Sequence, residues 1–217
     1  EAKRIEGNME RLKETPWHDQ VVKSLLIRRD IVNIMEGREP TPGSVLAGDK
    51  FKNLRVKLAK GKDGLFAYIR EYGAIGSAAK PVNNVNSTYI DCDPSAECAK
   101  YCYALTGNYV YQNPLVKGEL VSLAAELDPQ RMAEIIVNEY RTTGEYDAGK
   151  ALRMFDKGDI AEPWVEVIAR MNKAGIHAQV FSKRPEILRK LDPKMNQVLL
   201  SIDRSNRELA AANPDLP

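Results

Sequence analysis

Ala151-Leu-Arg-Met-Phe155, Ile176-His-Ala-Gln-Val-Phe181 and Gln197-Val-Leu-Leu-Ser-Ile202 are short apolar runs bounded by turn residues. Each reads as a buried strand. Between them, residues 163–173 read as a helix stopped by Gly175, and residues 185–191 as a helix opened by Pro185. Strand, helix, strand, helix, strand is the alternation of a parallel sheet with right-handed crossovers. Further upstream, residues 87–91 read as another short strand running into a loop. Two helices follow at 115–126 and 131–141, the second announced by Asp128 as N-cap and Pro129 at the first helical position. In parallel sheets and barrels, ligand chemistry gathers at the carboxyl ends of the strands. That rule singles out residues 91–102, 156–160, 182–184 and 201–204, all polar and all following apolar runs.

Residues 1–80 have a different character. Val21, Val22, Leu25, Leu26, Val32 and Met35 recur at three- and four-residue steps, as on a helix, with Arg28 and Arg29 on the solvent side. Residues 37–43 form a loop by their Pro and Gly content, and residues 50–60 and 63–72 read as two more helices. Trp17 is expected as a packed aromatic beside a surface His18. Residues 73–86, with Pro81 and Asn83, read as a linker. Residues 1–80 hold 16 Lys+Arg against 11 Asp+Glu, whereas the remainder holds 16 against 19. The expected organisation is a helical region over 1–80 and an α/β domain over 81–217. A mildly basic first part can meet nucleic acid, although surfaces of this charge are commonly only solvated.

At 43% hydrophobic and 29% charged, the 217-residue chain has the composition of a protein with a real core. Disorder, a collagen-like chain and a disulfide-dense mini-protein are excluded. No run approaches the ~20 apolar residues of a membrane span, and no signal-peptide pattern opens the chain. A cytoplasmic protein is the expectation. Glu1 and the closing Asn213-Pro-Asp-Leu-Pro217 suggest a piece of something longer, with further strand–helix units expected after Pro217.

The three cysteines, Cys92, Cys98 and Cys102, fall within eleven residues. Three thiols cannot pair off into disulfides, and grouped on one loop they look like thiolate ligands to a common centre. Zinc would want a fourth ligand, from His18, His177, Asp91 or Asp93. A [4Fe–4S] cluster can use three thiolates and keep one iron open to a small molecule. Both centres remain candidates, the cluster favoured.

Cys98-Ala-Lys-Tyr101-Cys102 resembles the second half of the radical S-adenosylmethionine (SAM) signature, in which an aromatic residue precedes the last of three cysteines. Five residues separate Cys92 from Cys98 where the usual signature has three. The longer stretch from Cys92 to Ala104, with Gly107-Asn-Tyr109 and Phe155-Asp-Lys-Gly158-Asp159, is similar to a phage domain, the gene-product-eighty-eight-like family. The resemblance covers about residues 80–217. It implies an α/β fold, a partial (β/α) barrel of radical-SAM type preceded by an N-terminal helical region.

The resemblance further implies a radical-SAM-like enzyme that cleaves SAM to a 5′-deoxyadenosyl radical acting on a substrate the sequence leaves open. Cys92, Cys98 and Cys102 would hold the cluster and Tyr101 would lie along the adenine. Gly158 and Asp159 would take the place of the segment that binds the methionine amino group. Ser182, Lys183 and Arg184 end the next strand, where Lys183 or Arg184 would meet the SAM carboxylate or a phosphate of the substrate. Ser201 and Asp203 end the last, where ribose contacts are expected. Tyr103, Tyr109 and Tyr111 either pack the loop or stack on a base. Two alternatives stay open: a zinc- or cluster-stabilised binding module without catalysis, with nucleic acid as a candidate partner, and a structural piece of a phage polyprotein. The phage reading would allow delivery from a virion into a host cytoplasm.

Overall fold

A computed structural model describes residues 2–76, 84–142 and 151–217. Its sheet has four parallel strands, β1 (Asn84–Val85), β2 (Leu152–Met154), β3 (Ala178–Ser182) and β4 (Gln197–Leu200). They lie side by side in chain order, so each crossover steps to the next strand without reversal. Around them run α1 (Ala2–Arg11), α2 (Pro16–Met35), α3 (Lys52–Leu58), α4 (Gly61–Tyr72), α5 (Ala96–Tyr101), α6 (Gln112–Leu127), α7 (Pro129–Thr142), α8 (Glu162–Lys173), α9 (Pro185–Leu188) and α10 (Arg207–Ala212). The result is a mixed α/β chain, mostly helical, with a small parallel sheet. No described helix is long and apolar enough to cross a membrane.

Local chemistry sets several of these boundaries. The Arg131 backbone N–H donates to Asp128 Oδ1 at 3.0 Å, which caps α7 one residue before Pro129. Gly175, at φ +81°, ends the turn after α8 in the left-handed conformation an L side chain resists. Strand register puts Met154, Val180 and Val198 in one row and Arg153, Gln179 and Gln197 in the next. Alternation then buries the first row and leaves the second half-exposed. The strands are therefore buried on one face only, although apolar runs in a parallel sheet usually signal two covered faces.

Two corrections to the sequence reading follow. Residues 87–91 are not a strand. Thr88 Oγ1 accepts from the Ile90 N–H at 3.1 Å and winds Tyr89–Asp91 into a 3₁₀ turn. The first strand is instead Asn84–Val85, inside the expected linker, whose residues 77–83 lie outside the described residues. Its outer side is met by Ile75 in an antiparallel bridge. At the opposite edge the Leu200 N–H, pointing away from β3, donates to the Pro217 carbonyl at 2.7 Å.

The N-terminal helices also pack against the cysteine loop and the rest of the chain. One contiguous apolar core joins Ile27, Ile31 and Leu65 to Leu120, Ile136, Trp164 and Val180. At roughly 1.5–3 kcal/mol per fully buried aliphatic side chain, each half stabilises the other. α6 is the shared centre, buried nearly all round and packed on α2, α4, α7 and α8. Its apolar surface is interrupted by Ser122 and by Glu119, fully buried, whose Oε2 accepts from Arg28 Nε of α2 at 3.1 Å.

Candidate functional site

The cysteine loop is shaped by caps and held by α1. After the Thr88-capped turn, the Cys92 N–H donates to the Tyr89 carbonyl at 3.2 Å. Ser95 then caps α5, its Oγ accepting from the Cys98 N–H at 3.2 Å, and the Cys102 N–H returns to the Cys98 carbonyl at 3.1 Å. Cys98 and Cys102 thus occupy successive turns of one helical face. Arg4 of α1 donates to the Cys92 carbonyl at 2.5 Å and the Ile90 carbonyl at 3.0 Å. Asn8 reaches Asp93 at 2.7 Å and Arg11 reaches the Pro94 carbonyl at 3.0 Å.

All three thiols are free and line one cavity of about 230 Å³. The other walls come from the carboxyl ends of the remaining strands: Phe155 to Asp159 after β2, Ser182 and Lys183 from β3, and Ser201 after β4. Every segment that the strand-end rule singled out contributes, although Asp203 stands one step behind the wall. Asp203 accepts from Ser95 and lies 3.5 Å from Lys183 Nζ, which also reaches Ser201 Oγ at 3.2 Å. Tyr101 does not join them. It closes α5 with its ring 81% exposed, away from the cavity. The aromatics at the cavity are Trp17, Tyr89, Tyr103, Phe155 and Phe181.

Gly158 has a definite steric reason. At φ +86° a Cβ would stand 2.0 Å from Ser87 Oγ and 2.7 Å from the Thr88 carbonyl. The close approach it permits is to the Ser87–Thr88 segment that follows β1. Asp159 is buried, and it is not the cap of α8, whose N-cap Ala161 has no side-chain bond. Its carboxylate accepts from the Ile160 N–H at 2.7 Å and the Lys183 N–H at 3.4 Å. Burial still wins over these bonds and raises it to about 6. Phe155, at φ +63° and edge-on to Trp164, is the one described non-glycine residue in the left-handed region. Such strain gathers at functional sites.

Charge around the thiols is uneven. The Cys98 thiol hydrogen-bonds to Cys102, which together with burial keeps Cys98 protonated. The same bond pulls Cys102 down, against burial, with help from the Ala104 N–H and Lys183. Burial pushes Cys92 well up. Lys157, missed by the sequence reading except as a turn residue, is fully buried under the cavity. Burial lowers its amine to about 8. At the mouth, Tyr103 OH donates to the Asp156 carbonyl at 2.7 Å, and Tyr109 OH donates to Asp156 Oδ2 at 3.1 Å. Arg153 pairs with Asp156 at 2.6 Å and lies over the Phe181 ring.

Among the described residues, no three His, Cys, Asp or Glu side chains are grouped closely enough to hold a single metal ion. A lone zinc needs its sulfurs on a common tetrahedron at ~2.3 Å from the metal. A four-iron cube gives each thiolate its own iron, so the sulfurs stand further apart around a larger centre. Three soft thiols around one cavity are donors that either centre can take, and the Trp17 indole N–H stands at the Cys92 sulfur of the same cavity.

No protein-family model matches the chain, and no curated protein or solved structure is significantly similar to it.

Proposed function

We propose that the chain is an iron–sulfur-cluster protein of radical-SAM-like type, with Cys92, Cys98 and Cys102 as ligands of a [4Fe–4S] cluster. One observation carries the reading: the three thiols of one loop meet Gly158 and Asp159 around a cavity at the carboxyl ends of a parallel sheet. The chain-order succession of strands supports taking the sheet as the first part of a (β/α) barrel. The half-exposed face with Arg153, Gln179 and Phe181 would then be its inner wall.

A cluster held by Cys92, Cys98 and Cys102 would supply the electron for reductive cleavage of SAM. The chain's own residues bind, orient and exclude water. Asp159, already an acceptor for backbone N–H groups, receives the ammonium of the methionine moiety. Lys183, steadied by Ser201 and Asp203, neutralises its carboxylate. Tyr103 and Phe181 at the mouth replace Tyr101 as the aromatic surfaces available to a planar base. Free thiols suit the reducing interior of a cell, so the reading keeps the protein in a cytoplasm.

The test is SAM cleavage by anaerobically reconstituted, chemically reduced protein. Formation of 5′-deoxyadenosine by the wild type, and its loss in Asp159→Asn, is the expected result. A cluster-bearing wild type that produces none overturns the catalytic part of the reading.

A further inference from the structure

Lysine is seldom buried without a carboxylate partner, because desolvating an ammonium costs several kcal/mol. Lys157 is only 1% exposed. Its Nζ donates to the Pro114 carbonyl at 2.9 Å and sits 5.2 Å from the centre of the Tyr89 ring. The closest buried carboxylate on α6, Glu119, is already paired with Arg28. The fold makes room for the ammonium: a Cβ on Gly118 would stand 2.5 Å from Lys157 Nζ and 2.7 Å from the Ser87 carbonyl. At the same cavity Trp17 is 3% exposed, and its indole N–H is directed at the Cys92 sulfur, with no oxygen or nitrogen partner. Lys157 and Trp17 both line the cavity with Cys92, Cys98 and Cys102. A buried cation beside this cavity and an N–H on one of its cysteine sulfurs both favour negative charge there.

We infer that Lys157 and Trp17 are positioning residues that hold an anionic iron–sulfur centre in this cavity and raise its reduction potential. The inference rests on the cluster reading above and deepens it. Three thiolates around a [4Fe–4S] core leave a net negative centre, and one-electron reduction adds a further negative charge. A fixed cation opposes that build-up, and an N–H donated to a ligand sulfur withdraws charge from it. Trp17 also makes α2 a wall of the centre, so the N-terminal helices contribute to the chemistry although they supply no ligand.

The experiment is a redox titration of the anaerobically reconstituted full chain, followed by its visible spectrum, in the wild type, Lys157→Met and Trp17→Phe. Lys157→Met keeps the side-chain length without the charge, and Trp17→Phe keeps an aromatic without the N–H. Each variant is expected to reduce less readily. Lys157→Met should lower the equilibrium constant for reduction at least tenfold, which is 59 mV for one electron. Trp17→Phe should shift it in the same direction by less. A merely structural role would lower iron content or thermal stability and leave the potential of the assembled fraction in place. Potentials equal to wild type in both variants overturn the inference and leave the cluster reading standing. A wild type that takes up no cluster overturns both. Lys100→Met, on the exposed side of α5, serves as the charge control and should leave the potential unchanged.

Discussion

Two concavities flank β4 and β3, and they differ in an instructive way. The larger, about 560 Å³, runs along the outer edge of β4 between Leu188, Leu191, Val198, Leu199 and Leu216. Its charged groups are Arg189 and Asp215, an exposed pair 2.8 Å apart. The smaller, about 230 Å³, gathers three thiols, two lysines, two buried aspartates and an indole N–H from five separate parts of the chain. Volume is what apolar side chains leave behind when a sheet edge is incompletely covered. Converging polar groups, each costly to bury, are what a binding site adds. The small cavity is therefore the chemical one.

That contrast can be broken by substitution, beginning with the strongest effect. Cys98→Ala should reduce iron uptake at least tenfold, because three ligands are the minimum for a cluster of this type. Arg189→Ala in the large groove should leave uptake unchanged, as measured by iron per chain after reconstitution. Arg28→Ala comes next. It strands the fully buried Glu119 carboxylate, and breaking such a pair costs about 3–5 kcal/mol, readable as a fall in the urea midpoint. Arg189→Ala should not move that midpoint measurably, since exposed ion pairs contribute little. Gly158→Ala should cost about 2 kcal/mol or more, combining a left-handed backbone with the collision against Ser87 and Thr88. Gly43→Ala, at φ +78° but with open space around it, should cost only the backbone part, roughly 1 kcal/mol.

The smallest effect is a pH slope. Burial raises the Asp91 carboxyl, just before Cys92, to about 8 against the opposing pull of Arg28. Between the ordinary carboxylate range and about 8, the folded chain keeps a proton that the unfolded chain has released. Stability from this group therefore falls as pH rises through that window. Asp159, raised to about 6, adds the same sign over the lower part of it. Asp91→Asn should flatten the slope of urea midpoint against pH. An unchanged slope would show that Asp91 titrates normally.

Much of this arrangement was legible in the sequence. The strands at 151–155, 176–181 and 197–202 announced themselves by apolar runs between Gly, Pro and Asp, and the polar ends of those runs do line one cavity. β1 was not legible, because two residues carry no periodicity and Asn84 looks like a loop. Ser87–Asp91 misled for the opposite reason: Thr88, Tyr89 and Ile90 have strand propensity, but the Thr88 hydroxyl spends itself on a turn. Tyr101 was chosen for its place beside Cys102, yet the helical step from Cys98 to Cys102 turns the intervening side chain outward. Trp17 and Lys157 were beyond local pattern altogether. Their roles depend on α2 and α6 packing against the cysteine loop, and Gly118 and Gly158, tight against Lys157 and Ser87, hint at it afterwards.

The most direct test of the account is the iron and acid-labile sulfide content of the anaerobically reconstituted full chain, compared with a Cys92→Ala, Cys98→Ala, Cys102→Ala triple variant. The account predicts about four irons and four sulfides per wild-type chain with broad visible absorption, and neither in the variant. A colourless wild type carrying one zinc, or a variant that retains the iron, would contradict it.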